Sequence, residues 1–337
     1  MKMPESSPPL VTVAVPAFNR LDELRECLES VAAQTYRPIE VFVVDDASSE
    51  AIEPVVRSVA WPSGIDCHYV RSEVNQGPGG AREIARQRAV GTYISYLDSD
   101  DWYAPEFVAR QVEALEANPQ AVMAYCQSRE FTALPITGEE PVWRRSGETF
   151  AAILPEVVLY RRPWCVASLM WRREMAAPAG GWTTMPVMED YEYEVRVGCL
   201  GHPIVHVNHP LCFFRRAGHW HIMGEQETRK RENPTQFWAQ RQAATERMVA
   251  SILDSPFATN VELMNAVTLV LLKNVKLLVR ADLRKDARIA LARVKRVTRA
   301  FPPQARQLAE AALLARFLPW RRVVTTFKRL PARPPSR

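Results

Sequence analysis

Acidic side chains stand at the end of an apolar run, where their types and spacing suit metal binding. The run 93–97 is followed directly by Asp98-Ser99-Asp100-Asp101. Carboxylates this close repel one another and are costly to bury unless a cation or hydrogen-bond donors neutralise them. Such oxygen ligands suit Mg²⁺ or Mn²⁺, which commonly bind through one or two carboxylates together with substrate phosphates. The residues alone therefore leave two interpretations open, a divalent metal site or a solvated acidic turn that caps the next helix.

The segments around this cluster alternate between strand and helix patterns. Apolar, β-branched runs predict strands at 11–15, 39–44, 66–70 and 93–97. Helical spacing predicts helices over 22–33 and 81–89, the second after a Gly-rich loop at 75–80. Alternating segments of this kind predict a doubly wound α/β sheet. Ligands of such sheets bind beyond the carboxyl ends of the strands, so we expect the acidic residues to converge on one edge.

Several short motifs follow one another in a characteristic order. They are Pro16-Ala17-Phe18-Asn19-Arg20, Val43-Val44-Asp45-Asp46-Ala47-Ser48, Asn75-Gln76-Gly77, Ala81-Arg82, Gly91-Thr92-Tyr93-Ile94, Leu97-Asp98-Ser99-Asp100-Asp101, Gly180-Gly181-Trp182 and Met188-Glu189-Asp190. As a set, these motifs resemble the family 2 glycosyltransferases, which have the GT-A fold. The resemblance covers residues 11 to about 216.

The resemblance implies a fold, a domain division and a reaction. We expect an α/β GT-A domain over residues 1–225, with a Rossmann-like, mostly parallel central sheet flanked by helices, and a helical, basic region over 226–337. The implied reaction is a metal-dependent, inverting transfer of a sugar from a nucleotide-diphosphate donor, commonly a UDP-sugar. The acceptor would be a hydroxyl of a glycan, a lipid-linked glycan or a polysaccharide. Mg²⁺ or Mn²⁺, with Asp100 and Asp101 as its ligands, would stabilise the charge on the leaving diphosphate.

The resemblance also implies a donor site. Its residues are Pro16, Phe18, Asn19, Asp46, Arg82, Asp98 and Asp100. Asp46 would accept a hydrogen bond from the donor base, as an acceptor at a strand end can do, although one of the two acids at 45–46 could instead cap a turn. Arg82 follows a Gly-rich stretch and could face an anionic donor with the nearby helix N-terminus; the alternative is a surface arginine. Glu83 stands where the family often has Asn.

The acceptor side is implied to lie near residue 190. The family places its general base at the position of Asp190, where a carboxylate would take the acceptor proton as the hydroxyl attacks. Glu189 and Trp182 are the candidate acceptor contacts, the latter because aromatic faces stack on sugar rings. The alternative for Glu189 and Asp190 is a favourable acidic start to a helix.

The end of the resemblance departs from the family pattern. The family often has a histidine after an aromatic residue and an arginine, but here Arg215 and Arg216 are followed by Ala217. Arg215, His219 and His221 are therefore the candidates for phosphate or metal contacts. A zinc site built from the histidines at 202, 206 and 209 is disfavoured, since prolines interrupt them and no cysteine pair completes it.

Charge is divided unevenly along the chain. Residues 270–337 carry 18 Lys and Arg against 3 Asp and Glu, a net +15, whereas residues 1–269 carry 25 against 35, a net −10. A basic tail on an acidic body predicts attraction to an anionic membrane surface through the C-terminal helices, or else a solvated basic face. Nucleic acid is not an expected partner, because the acidic body would repel phosphates.

Composition favours a soluble, intracellular enzyme. The six cysteines form no C-x-x-C pair, the N-terminus lacks a leader pattern, and no apolar run reaches the length of about 18 residues that a spanning helix needs. We expect a cytoplasmic protein, peripheral on the inner face of the membrane. The rival functions are a catalytically silent relative that binds nucleotide or membrane, and a sugar nucleotidyltransferase. The latter would carry a basic, Gly-rich loop near its start, which residues 16–21 do not supply.

Overall fold

The computed structural model describes residues 7–216 and 230–299. The chain divides into two compact units. One contains residues 1–157 and 161–221, and the other contains residues 158–160 and 222–337. The predicted domain boundary after residue 225 stays a prediction.

Eight strands form a single mixed sheet in the first unit. They are β1 (Val11–Ala17), β2 (Ile39–Asp45), β3 (Ile65–Arg71), β4 (Tyr93–Tyr96), β5 (Trp102–Tyr103), β6 (Met123–Phe131), β7 (Leu169–Arg172) and β8 (Ile204–Arg215). Their order across the sheet is β3-β2-β1-β4-β7-β6-β8-β5. The first four are parallel, β6 is parallel to β8, and β7 and β5 run antiparallel to their neighbours. The predicted α/β GT-A class with a mostly parallel sheet is confirmed.

Helices flank the sheet. In this unit they are α1 (Leu21–Ala32), α2 (Glu53–Ser58), α3 (Gly77–Arg88), α4 (Phe107–Ala117), α5 (Arg173–Ala176) and α6 (Glu189–Gly198). The apolar side of α1 is buried through Leu24, Leu28 and Val31, and β1 and β2 are buried along almost their whole length. Burial on both faces is what a parallel strand between two helical layers requires.

The Gly-rich stretch is helical, contrary to the prediction of a loop. Residues 77–80 form the first turn of α3, which begins at Gly77. A Cβ on Gly79 would lie 2.0 Å from the carbonyl oxygen of Thr183, and one on Gly80 would lie 2.4 Å from the Cβ of Gln76. These glycines therefore allow close packing of the helix start, which sequence spacing alone did not distinguish from a loop.

Three long helices form the described part of the second unit. They are α7 (Pro234–Leu253), α8 (Val261–Arg280) and α9 (Arg284–Arg299). The side-chain amide of Asn274 donates to Gln242 at 3.2 Å and to Thr245 at 2.8 Å, and the Tyr160 hydroxyl lies 3.3 Å from that of Thr245. The predicted helical character of the C-terminal region is confirmed for its described residues up to 299. Across the residues described here, no helix is long and apolar enough to cross a membrane.

The buried carboxylate of Glu40 links neighbouring segments by hydrogen bonds at the amino ends of the parallel strands. Glu40 on β2 accepts hydrogen bonds from the Thr12 hydroxyl on β1 and from the N–H groups of Val90 and Gly91, the latter two at 2.8 and 2.9 Å. Because Gly91 has no side chain, its backbone can approach β1. A Cβ there would lie 2.6 Å from Thr12 Oγ1 and 2.7 Å from Thr12 N.

Gly91→Ala should lower the free energy of unfolding by about 1–3 kcal/mol, because the added methyl meets backbone that cannot move freely. Gly147→Ala is the matched control, since its Cβ would approach the flexible side-chain amide of Gln127 at 3.1 Å. The control should change stability by less than about 0.5 kcal/mol. Urea denaturation monitored by circular dichroism measures both, and equal stabilities for the two variants would contradict the packing argument.

Candidate functional site

Asp46 lies beyond the carboxyl end of β2 and caps helix α3. One carboxylate oxygen accepts from the N–H of Gln76 and the other from the N–H of Gly77, both at 2.8 Å. Burial raises the pKa of Asp46, and these two backbone N–H groups oppose that rise. Each oxygen keeps a further lone pair. Asp46 therefore fixes the start of α3 and retains acceptor capacity for a ligand.

Asp45 has a structural role in the same turn. Its carboxylate accepts from the N–H of Ser48 at 2.8 Å and from the Tyr69 hydroxyl at 2.7 Å, and it is ion-paired with Arg71. Burial favours the neutral form of Asp45, but the hydrogen bonds from Tyr69, Ser48 and Arg71 outweigh burial and lower its pKa. Of the two neighbouring acids, Asp45 is the one that holds the turn.

The loop after β1 is fastened to this turn by Asn19. The side-chain oxygen of Asn19 accepts from the N–H groups of Ser49 at 2.9 Å and Glu50 at 3.3 Å, and its own N–H donates to Ser48 Oγ at 2.9 Å. The side-chain oxygen and the backbone N–H of Asn19 are thus both hydrogen-bonded within the fold, and they shape the loop. Phe18, by contrast, is 46% exposed beside it, and Pro16 is partly buried. The Phe18 ring is accordingly available to the apolar face of a ligand.

The acidic cluster after β4 lies at the same edge of the sheet. Asp98 accepts from Arg82 at 2.6 Å, Asp100 from Arg20 at 2.8 Å, and Asp101 from the N–H of Arg215 at 3.0 Å. Burial and the charges of Asp100 and Asp98 raise the pKa of Asp101 well above its usual range. The three carboxyl groups therefore lie together at this point of the fold, and burial makes Asp101 harder to ionise.

The cluster fits a hard divalent ion by its chemistry, although it is not a preformed cage. Within residues 7–216 and 230–299, no three or more His, Cys, Asp or Glu side chains are grouped to hold a metal ion. Mg²⁺ and Mn²⁺ need few protein carboxylates when substrate phosphates complete their coordination.

His219 and His221 lie outside the described residues. Arg215 donates from Nε to the carbonyl oxygen of Asp100 at 2.9 Å, and its guanidinium lies 4.5 Å from the centre of the Phe131 ring.

Arg82 joins this cluster to helix α6. Its side chain is 2% exposed, and its guanidinium donates to Asp98 at 2.6 Å and to Glu189 at 3.0 Å. It also lies 4.9 Å from the centre of the Trp182 ring. A buried guanidinium needs such carboxylates to offset its lost hydration. Two motifs about 90 residues apart are thereby held in one site.

Glu189 and Asp190 are adjacent but have opposite pKa shifts. Burial and the neighbouring charge of Asp190 raise the pKa of Glu189 to about 7, despite Arg82. Burial also favours the neutral form of Asp190, but the charges of Arg162 and Arg82 outweigh it and lower the pKa of Asp190. Asp190 is thus the carboxylate that stays ionised at neutral pH.

Trp182 is packed within the fold. Its ring is 6% exposed, stacks on Tyr193 with 4.3 Å between ring centres and meets the edge of Tyr96 at 4.9 Å. Arg82 lies over its ring as well. In this arrangement Trp182 orders the residues around α6 and presents little open surface to an acceptor.

Arg162 and Glu194 belong to the site and were missed by the sequence analysis. Arg162 donates to Asp190 at 2.5 Å and is ion-paired with Glu194, which also accepts from the indole N–H of Trp164 at 2.9 Å. The stretch before residue 163 has no periodic pattern, so Arg162 gave no signal. Glu194 follows Asp190 by four residues on a helix, the spacing at which side chains share a face, and that was the available clue.

Comparisons with known proteins show which sequences the chain is similar to. The sequence profile of the Glycosyl transferase family 2 matches residues 12–152. An uncharacterised glycosyltransferase of Haemophilus influenzae is 25% identical over 197 residues, 56% of this chain and 62% of the relative. The succinoglycan biosynthesis protein ExoO of Rhizobium meliloti is 37% identical over 109 residues, 32% of this chain and 30% of that protein. The chain thus spans less than two thirds of the length of these relatives.

Solved structures show the same fold. TarS 1–349 of S. aureus in complex with UDP-GlcNAc superposes with a TM-score of 0.68 at 16% identity, covering 95% of this chain and 91% of that one. The mannosyltransferase PcManGT of Pyrobaculum calidifontis, in complex with GDP-Man and Mn²⁺, gives a TM-score of 0.54 at 20% identity, covering 96% and 85%.

Stability should fall as the pH rises from about 5 to 7, because buried Glu189 and Glu194, each with a pKa raised to about 7, bind protons in the folded chain that the unfolded chain has lost. Each group contributes a slope of up to about 1.4 kcal/mol per pH unit. Glu194→Gln should flatten the dependence, whereas the exposed control Glu73→Gln should not. Urea unfolding across this pH range is the measurement, and identical slopes for all three proteins would refute the expectation.

Proposed function

The chain carries a family 2 glycosyltransferase domain over residues 12–152, and from that premise we propose that it is an inverting glycosyltransferase. The reaction moves a sugar from a nucleotide-diphosphate donor to an acceptor hydroxyl. One observation carries the proposal: Arg82 binds Asp98 and Glu189 at once, so a strand-end acidic cluster and the acids of α6 form a single site. Donor and acceptor chemistry are thereby adjacent.

The donor is assigned to the carboxyl edge of β1, β2 and β4. Phe18 and Pro16 would contact the base and ribose, and Asp46 has acceptor capacity for a base N–H. UDP is the proposed nucleotide, since the structural relative TarS binds UDP-GlcNAc, although PcManGT binds GDP-Man. Diphosphate would lie near Asp98 and Asp100.

A divalent ion is part of the proposal. Asp100 and Asp101 are the assigned ligands, with Mn²⁺ or Mg²⁺ as the ion, because their oxygens are hard ligands and PcManGT was solved with Mn²⁺. When bound, the ion would stabilise negative charge on the leaving diphosphate. Arg20 and Arg82 supply positive charge at the same place in the absence of donor.

Asp190 is the proposed general base. It takes the proton of the acceptor hydroxyl as that oxygen attacks the anomeric carbon opposite the leaving diphosphate. Adjacent carboxyl groups whose pKa values are driven apart mark such a division of roles. Asp190 stays charged beside Arg162, while Glu189, with its pKa raised to about 7, bonds Arg82 and lines the acceptor side.

The acceptor is proposed to be a glycan, lipid-linked glycan or polysaccharide reached at a membrane surface. ExoO, a relative over about a third of this chain, is named for succinoglycan biosynthesis. Helix α9 exposes Lys285, Arg288 and Arg296 together with Ile289, which is 47% exposed. Basic side chains beside an apolar one suit the headgroup region of an anionic bilayer. A peripheral position on the cytoplasmic face follows from this proposal.

Nucleotide binding tests the donor site. Titration calorimetry of UDP, GDP and dTDP with and without Mn²⁺ should show Mn²⁺-dependent binding of UDP. Asp100→Ala should weaken that binding at least about tenfold, the loss of one charge-assisted contact. Glu113→Ala on the exposed side of α4 is the control and should bind as the wild type does. Absence of binding by every nucleotide would count against the transferase function.

Asp190→Asn should keep UDP binding and lose transfer, since the amide cannot take a proton. Release of UDP from UDP-sugars, followed by chromatography, should fall by about 10²–10⁴-fold, the usual contribution of a general base. An Asp190→Asn enzyme that turns over at the wild-type rate would remove Asp190 from this role.

Vesicle sedimentation tests the membrane proposal. The full chain should bind vesicles of phosphatidylglycerol and phosphatidylcholine in equal parts, and phosphatidylcholine vesicles much less. Reversing Lys285, Arg288 and Arg296 to Glu should reduce binding by at least about 100-fold, because each basic residue near the surface contributes about 1 kcal/mol. A control carries the same three reversals on exposed arginines of the catalytic unit, at 57, 88 and 110. Equal losses in both variants would show that α9 has no special part.

A further inference from the structure

The guanidinium of Arg162 is held between two acids on one face of α6. It donates to Asp190 at 2.5 Å and pairs with Glu194, four residues later on the helix. The residue is only 6% exposed, and its guanidinium lies 4.1 Å from the centre of the Tyr191 ring. Two ion pairs and an aromatic contact therefore fix the guanidinium in one orientation.

Glu194 is itself held in place. The indole N–H of Trp164 donates to its second oxygen at 2.9 Å, and the Trp164 side chain is fully buried. Arg162 and Trp164 both come from the irregular stretch before β7. No helix or strand contains them; their bonds to α6, together with the packing of Trp164 against Tyr125 at 5.2 Å between ring centres, hold this part of the stretch.

The charges around Asp190 show why such an arginine is needed. The ionisable groups facing it are Glu189, Glu194 and Tyr191 on α6, Arg82 from α3, and Arg162. Burial favours a protonated Asp190, and the charges of Arg162 and Arg82 oppose it. Arg82 is shared with Asp98 and Glu189, whereas Arg162 bonds Asp190 directly. Without Arg162, the balance at Asp190 would move towards the neutral acid.

We propose that Arg162 is a positioning residue that keeps Asp190 ionised and correctly oriented for proton removal, and that Glu194 and Trp164 hold Arg162 for this task. The inference rests on the proposed function, because it concerns the base of that reaction. Arg162 does not touch the substrate in this scheme. Its loss should therefore act through the protonation state of Asp190 and leave donor binding intact.

Two readouts at Asp190 test the proposal with Arg162→Met and Arg162→Lys. The first is the pH profile of UDP release from the UDP-sugar. The second is the titration of the Asp190 side-chain carboxyl by ¹³C NMR in the full chain, assigned by comparison with Asp190→Asn. Arg172→Met is the matched control, since Arg172 bonds Tyr93 and Leu115 at the opposite edge of the sheet.

Arg162→Met should shift two midpoints to higher pH, that of the acidic limb of the pH–rate profile and that of the NMR titration of Asp190. Each shift should be at least about one pH unit, a tenfold change in the ionisation equilibrium. UDP affinity should stay within about threefold. Arg162→Lys retains the positive charge, so its two midpoints should stay close to those of the wild type. Its rate should recover less completely, since a single ammonium cannot bridge two carboxylates. Arg172→Met should leave both midpoints unchanged.

Unshifted midpoints in both Arg162 variants would overturn the proposal, as would an equal shift in Arg172→Met. If Arg162→Met does not fold, Arg162→Gln decides the matter, because a neutral amide can still donate hydrogen bonds while the positive charge is removed: a raised Asp190 midpoint supports the proposal and an unshifted one overturns it. A wild-type chain that binds no nucleotide would instead contradict the proposed function, and the NMR titration would still decide whether Arg162 controls the ionisation of Asp190.

Discussion

A buried guanidinium must keep carboxylates beside it, and this constraint at Arg82 organises the site. Asp98 follows β4 and Glu189 begins α6, so the two ion pairs connect the central sheet to a helix that enters the fold about 90 residues later. Removing either acid would leave a buried charge only partly compensated, which is costly in a low-dielectric interior. The strand-end cluster and the acids of α6 are therefore mutually dependent parts of one arrangement.

A second buried guanidinium is paired with two acids of α6 that lie one helical turn apart. Arg162 is surrounded by Asp190 and Glu194 as Arg82 is by Asp98 and Glu189. Each guanidinium takes one of the two adjacent acids at the start of the helix, and their environments differ accordingly. Burial dominates at Glu189 and raises its pKa, whereas the two guanidinium charges prevail at Asp190 and lower its pKa. Two neighbouring carboxyl groups thus acquire different protonation states without any bound ligand.

Much of the fold could be predicted from the sequence because its first strands are buried on both faces and end in polar turns. The strands at 11–17, 39–45 and 65–71 extend the predicted runs by one or two residues, and the strand at 93–96 ends one residue before its predicted run. The Gly-rich start of α3 was misjudged, since glycine signals a loop unless a close neighbour such as the Thr183 carbonyl is known. Helix α2 was also missed, because its six residues are too short for a periodic pattern.

The site was less predictable because its pairings join distant segments. Sequence order places Asp98, Asp190 and Arg82 in recognisable motifs, but it does not show that Arg82 bonds two of the acids. Arg162 lies in a stretch without a pattern, and only the folded contacts reveal its partner. Local signals specify elements well, whereas ion pairs depend on how those elements meet.

The sheet order has a consequence for how the chain can be made. The family match ends at residue 152, yet β7, at Leu169–Arg172, lies between β4 and β6, and β8, which ends at Arg215, lies between β6 and the edge strand β5. During synthesis on the ribosome, the β3-β2-β1-β4 half can assemble early, but β6 has to wait for a strand about 40 residues further on before it can join that half. A fragment cut at the end of the family match would therefore leave one side of β4 without its partner, exposing a strand edge that favours aggregation.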